Sequence, residues 1–167
     1  MILVATCCAV GAAVLPSHRT RTVVATVTVY EEAWMPIIQP DHWAILTIIG
    51  EAASEPYMGQ VAVGNVIRNR MARKYSSDGT IIGTVLRPKQ FSMWDDRARI
   101  YAARIELDSD VYMAAVDAWN YSKYTDPTKG AVLYHTGAVH PRWADAPSVS
   151  LARKIGAHLF YHDSGGA

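Results

Sequence analysis

The sequence has little cysteine, little net charge and only a marginal apolar run for crossing a bilayer, and each shortage argues against a class of protein. Its only two cysteines are the neighbours Cys7 and Cys8. They form no framework of spaced pairs and no CxxC motif, so a disulfide scaffold and a thiol-based redox or metal site are both excluded, and the pair reads as small apolar filler. The net charge is +1 over 167 residues, which creates no field to attract nucleic acid. Low-complexity tracts and internal repeats are absent too. With 50% apolar and aromatic residues against 19% charged ones, the chain reads as globular rather than disordered or solenoidal. A chain of this length ordinarily builds one domain around one core.

The uncharged stretch MILVATCCAVGAAVLP, residues 1–16, is marginal against the roughly 20 apolar residues that a spanning helix takes. It resembles the apolar core of a signal peptide, with small residues near a cut, but lacks a basic leader. Arg19 and Arg21 follow it instead, an order that argues against simple export. A terminal element of the domain, or an apolar tail that packs into a virion or envelope protein, therefore ranks above an export or anchor segment. Residues 22–30, TVVATVTVY, are β-branched enough for a strand or extended arm, and Pro36 and Pro40 punctuate a linker.

The working domain is expected to begin near Asp41, a helix N-cap candidate before HWAILTIIGEAA. That segment is apolar almost all round, as in a helix threaded through a core, and Glu51 stands at its end. Ser54 is expected to cap a second helix with Pro56 in its first turn. Met58, Val61, Ala62, Asn65 and Val66 share one face of that helix, and its end near Lys74 is basic. Arg68, Arg70, Arg73 and Lys74 there complement the helix dipole, a structural role rather than a phosphate site. A short helix over Thr80–Leu86, an irregular RPKQFSMW and a longer helix over Asp110–Lys123 follow. Asp126, Pro127 and Gly130 turn the chain into AVLYH, read as a strand, and AHLFYH reads as another.

A carboxylate at the end of a nearly all-apolar helix is a physical anomaly, because a buried charge is costly unless it is paired or protonated. Desolvation there favours the protonated acid, and such an acid is what glycosidic bond cleavage needs, since the leaving oxygen must receive a proton. The plain alternative, equally weighted on physics alone, is that Glu51 projects past the helix end into water or pairs with an arginine.

The stretch IIGEAASEPYMGQVAVGNVIRNRM resembles the signature of the cell-wall hydrolase family that includes the spore cortex-lytic enzymes of the SleB and CwlJ type. The matching residues are Gly50, Glu51 and Ala52, then Glu55 and Pro56, Gly59 to Ala62, and Asn69 with Arg70. Gln90, Phe91, Ser92 and Trp94 follow in order, then Asp126, Pro127, Gly130, Ala131, Tyr134 and His135. Pro141, Trp143, Ile155, Gly156, His158, Phe160 and Tyr161 complete a resemblance running from about Trp43 to Tyr161. It implies a lysozyme-like architecture and cleavage of peptidoglycan glycan strands, as lytic transglycosylase or muramidase, with the family's catalytic glutamate at Glu51. The implied mechanism has Glu51 protonate the oxygen between N-acetylmuramic acid and N-acetylglucosamine. It then acts as base while the muramic C6 hydroxyl closes on C1, without cofactor or second carboxylate. Asp95 and Asp96, beside Trp94, read as solvated residues. A glycan cleft takes flat apolar faces with amide or hydroxyl groups, which makes Gln90, Ser92 and Trp94 substrate-binding candidates, joined by Tyr134 and His135 at a strand end.

Two rivals remain. His135, His140, His158 and His162 raise a zinc-dependent cell-wall amidase, but HExxH is absent and a four-residue offset along a strand holds His158 and His162 too far apart to share one ion easily. A non-enzymatic virion or envelope module that assembles or binds glycan suits the apolar arm, but has no use for a buried acid. The chain is thus expected to be mainly α (α+β), a lysozyme-like domain with a few short strands. Residues 1–40 would form an arm, 41–163 the catalytic domain and 164–167 a tail. Its place would be the cell envelope, periplasm or exterior, as a remodelling enzyme or a virion-associated phage lysin, with no metal and no nucleic-acid partner.

Overall fold

The computed structural model describes residues 39–94 and 109–165. The chain divides between Gln39 and Pro40 into two units, and all of the first but Gln39 falls outside the described residues, as do the arm reading of residues 1–38 and the acids Asp95 and Asp96.

The second unit is built on α1, Pro40–Ala52, in which every residue from Trp43 to Ile49 is buried together with Ala52. Each such Leu- or Ile-sized side chain contributes about 1.5–3 kcal/mol by leaving water, so this helix is the core's axis. The one buried hydroxyl in that run, Thr47, satisfies itself on the Trp43 carbonyl at 2.7 Å. Asp41 is not the N-cap expected from sequence: the helix starts at Pro40, whose missing N–H costs nothing in a first turn, and Asp41 sits in that turn, facing the positive end of the dipole.

A tight turn leads to α2, Tyr57–Arg73. Ser54 does not cap it. Pro56 occupies the cap position, where its ring has no acceptor to offer, and its carbonyl takes the N–H groups of Gly59 and Gln60 at 2.7 and 3.2 Å. Lys74 closes the helix in a left-handed conformation, φ 51. The basic cluster at this end does more than complement the dipole: Arg68 bonds Ser122 Oγ and the Trp119 carbonyl, Arg73 the Asp163 carbonyl, and Arg70 is buried.

The short α3, Ile81–Val85, is capped by Thr80, which accepts the Gly83 N–H at 3.0 Å. Ser109 caps α4, Asp110–Tyr121, which ends two residues before Lys123. Ser122 turns its hydroxyl onto the Trp119 carbonyl at 2.6 Å, and its own carbonyl receives the Asn65 amide at 2.9 Å. Helices α2, α3 and α4 all pack on α1.

After α4 comes the loop Asp126–Gly130. Asp126 gathers Thr128 N and Oγ1 on one oxygen (2.9 and 2.6 Å) and Gly130 N with Asn69 Nδ2 on the other (2.7 and 3.1 Å). Lys129 and Gly130 take left-handed backbone, φ 56 and 91, which Gly130 accepts without strain.

The sheet has the order β1-β3-β2, antiparallel throughout, with β1 at Leu133–Thr136, β2 at Val149–Ile155 and β3 at His158–Asp163. Strand β2 was not legible in sequence. A register irregularity between Leu151 and Arg153 breaks the two-residue alternation, and most of its side chains stay exposed or half-exposed. Tyr134 and Phe160 pair across β1 and β3, and that face packs against Ala62 and Val66 of α2 and Ala131.

Candidate active site

Three elements converge on Glu51. The first is its own helix, α1, which delivers it on the last turn with Gly50 before it. The second is a 3₁₀ turn, Ser92–Trp94, laid across the helix end. That approach requires Gly50, since a Cβ there would meet the Met93 side chain at 2.5 Å. Close approach lets Met93 N–H and Ser92 Oγ donate to Glu51 Oε1 at 2.9 and 3.0 Å. The third is β1, from which the Tyr134 hydroxyl donates to Oε2 at 3.0 Å. Each oxygen of the carboxylate therefore has at least one donor.

Glu51 is half-buried rather than enclosed by apolar groups. Its own helix is apolar, but the groups that reach its carboxylate come from elsewhere in the chain and are polar, two hydroxyls and a backbone N–H. Tyr134 is the fixed partner. Burial, then the Glu51 charge, push its phenol well above its ordinary range, with Arg70 opposing, so it keeps its proton and donates. Arg70, 3% exposed, donates from Nε to the Val132 carbonyl at 2.7 Å and lies 4.9 Å over the Phe91 ring. Burial pushes its guanidinium below the ordinary range against the fields of Tyr134, Tyr75 and Glu51, so a cation sits behind the anionic site.

The other candidates distribute unequally. Trp94 stands next to the site but is held by α1: its indole N–H donates to Thr47 Oγ1 at 2.9 Å and its ring tilts on Trp43 at 5.2 Å. Phe91 is core, 2% exposed. Gln90 is half-buried at the entrance of the 3₁₀ turn, its N–H on the Arg87 carbonyl. His135 points to the opposite sheet face from Tyr134, as neighbours on a strand must. There its ring nitrogens engage the Thr136 carbonyl and the Tyr161 hydroxyl, both at 2.8 Å, so it is not brought to Glu51. Of the remaining histidines, His140 meets Asp145 at the surface and His162 the Lys129 carbonyl. Among the described residues no group of three His, Cys, Asp or Glu is placed to hold a metal.

Sequence reasoning missed the Met93 donor, because a backbone N–H carries no residue signature, and it named Glu55 only as part of the family pattern.

The family described as Cell Wall Hydrolase matches residues 54–161. The chain belongs to the cell wall hydrolase family. The match ends at Tyr161, where the sequence resemblance also ends, but begins at Ser54, past Trp43, so Glu51 lies just before it. Among curated relatives, the spore cortex-lytic enzyme of Bacillus cereus is 32% identical over 115 residues, 68% of this chain and 40% of that protein. The Bacillus subtilis spore cortex-lytic enzyme is 29% identical over 116 residues, 68% of this chain and 34% of that protein. The chain thus spans less than half the length of these relatives. Among solved structures, the catalytic domain of the Bacillus cereus SleB protein superposes with TM-score 0.57 at 28% identity, covering 75% of this chain and 91% of that one. The catalytic domain of the germination-specific lytic transglycosylase SleB from Bacillus anthracis gives 0.55 at 29%, covering 75% and 96%. The mainly α, lysozyme-like architecture with a small sheet is therefore that of the cell wall hydrolase catalytic domains.

Proposed function

We propose that the chain cleaves peptidoglycan glycan strands as a lytic transglycosylase, with Glu51 as the acid and then the base. The observation that carries this reading is the single half-exposed carboxylate held by Ser92, Met93 and Tyr134. As its proton passes to the oxygen linking N-acetylmuramic acid to N-acetylglucosamine, the C1–O bond breaks and a carboxylate is left that already has its donors in place. Pre-aimed donors cost no reorganisation when charge develops. The carboxylate then takes the proton of the muramic C6 hydroxyl as O6 closes on C1, and a 1,6-anhydro end forms with no water consumed. A second carboxylate, needed in two-acid glycosidases, has no task in this sequence of steps. The cell envelope is the site of action, and residues 1–40 serve location, in the envelope or in a phage particle.

Two measurements test this. Muropeptides released from purified sacculi are expected by mass spectrometry to carry ends lighter by one water than reducing ends; reducing ends alone would replace transglycosylation with hydrolysis. Glu51→Gln keeps the shape and an acceptor oxygen but delivers no proton. It is expected to fold, to bind insoluble peptidoglycan and to lose about a hundredfold or more in turnover. Wild-type release by the folded variant would remove Glu51 from the mechanism.

A further inference from the structure

Glu55 and His158 have no task in the steps above, yet both are buried beside them. The Glu55 side chain, from the turn between α1 and α2, is 9% exposed and that of His158, on β3, is 4% exposed. Glu55 Oε2 accepts the Ala157 N–H of the β2–β3 turn at 2.9 Å, while Oε1 lies 3.8 Å from His158 Nδ1. Two glycines make room for this carboxylate. A Cβ on Gly156, at φ 58, would overlap Glu55 Oε2, and one on Gly59 would come within 2.9 Å of the Glu55 Cβ.

His158 Nδ1 is buried with no hydrogen-bond partner, an arrangement that folded proteins rarely keep without a use. Its ring stands edge-on to Tyr134, at 5.1 Å between centroids and 89° between planes, and Tyr134 is the donor to Glu51 Oε2. The contacts therefore run from Glu55 through His158 and Tyr134 to Glu51.

We infer that Glu55 and His158 are a positioning pair for this site: they hold Tyr134 against Glu51, and the charge on His158 sets how readily Glu51 carries its proton. The inference rests on Glu51 being the acid proposed above. The groups whose fields reach His158 are Glu55 from the turn, Glu51 from α1 and His135 from β1, with the Tyr134 phenol against its ring. Burial pushes the imidazole below its ordinary 6.5, Glu55 and then Glu51 oppose that, and His135 adds to it. Coupling between two sites is reciprocal, so a proton on His158 favours ionised Glu51 and withholds the acid. A cationic His158 therefore lowers the pH at which Glu51 loses its proton and activity falls, and Glu55, by favouring that cation, adds to the effect.

The test uses the full chain as wild type, Glu55→Gln, Glu51→Gln and His158→Gln. The glutamine at 55 retains an oxygen for Ala157 N–H and loses only the charge. Imidazole NMR, with the His158 signal identified by its loss in His158→Gln, is expected to show a lower His158 midpoint in both glutamate variants. The shift is about half a unit to one unit, a threefold to tenfold change in proton affinity. The alkaline limb of kcat/KM on soluble glycan chains, where Glu51 loses its proton, moves to higher pH in Glu55→Gln and in His158→Gln. A role confined to stability would instead lower Tm and scale activity equally at every pH. An unmoved midpoint, or a uniformly scaled profile, overturns the inference. Should Glu55→Gln not fold, the Glu51→Gln midpoint and the His158→Gln profile decide alone. Wild-type turnover by Glu51→Gln would sink the acid assignment, and the midpoints would still report whether the pair is coupled to that carboxylate.

Discussion

The three donors to Glu51 differ in what they can do when a proton arrives. Met93 N–H can only donate, whereas the hydroxyls of Ser92 and Tyr134 can also turn and accept. Tyr134 is the more constrained of the two, with its ring held between His158 and Phe160 and its phenol kept protonated by burial. Tyr134→Phe removes the donor to Oε2 and keeps the ring. It is expected to lower kcat by about tenfold to a hundredfold, within the range seen when one pre-aimed donor is lost. The stability cost of the missing bond is about 1 kcal/mol. Turnover of soluble glycan chains and thermal melts measure the two separately, and an unchanged kcat would make the Tyr134 hydroxyl structural. At this scale Glu51 stood out in the sequence as a charge at the end of an apolar helix, and Ser92 and Tyr134 were found through the family pattern. Trp94 and His135 came from the same pattern, but their bonds to Thr47 and Tyr161 could not be read from it, because those partners lie 47 and 26 residues away.

Among the elements, the loop Asp126–Gly130 ties α2 to β1 through one carboxylate, since Asn69 of α2 bonds both Asp126 and the Ala131 carbonyl. Burial pushes the Asp126 carboxyl up, but hydrogen bonds from Thr128, Asn69 and Gly130 outweigh it and hold the group below its ordinary 3.8. A carboxyl lower in the folded than in the unfolded chain contributes stability above the unfolded value and loses it as pH falls through the folded one. Asp126→Asn is therefore expected to cost about 1.5–3 kcal/mol at neutral pH, the scale of hydrogen bonds to a charged group. Below pH 3.8 its melting temperature should decline less steeply than that of the wild type. Parallel curves through that range would assign the acid sensitivity to Asp78 and Asp163, whose carboxyls are also held low by hydrogen bonds. Helix α1 was legible as an apolar run behind a helix-start signal, and α2 because its apolar residues recur with helical spacing. Strand β2 was not, because its register irregularity and its exposed Arg153 and Lys154 erase the alternation that marks a strand.

For the whole molecule, Pro40–Ala167 forms one compact unit, and the family match lies wholly inside it. Deleting residues 1–36 is expected to leave a folded protein that still releases muropeptides from sacculi in vitro, because the site is assembled from α1, the 3₁₀ turn and β1. Loss of the cooperative melt in the truncated chain would make residues 22–30 part of the core instead. Sequence by itself determined the axis helix, the acid at its end, the second helix with its basic terminus, and the family pattern, because these are carried by local periodicity and by residues close together in the chain. Only the tertiary structure decided which groups meet that acid. Ser92 and Met93 are 41 and 42 residues from it, Tyr134 83 residues, and Glu55 reaches the β2–β3 turn across 102. Contacts over such separations depend on how α1, the 3₁₀ turn and the sheet pack, and on the glycines at 50, 59 and 156 that let them come so close.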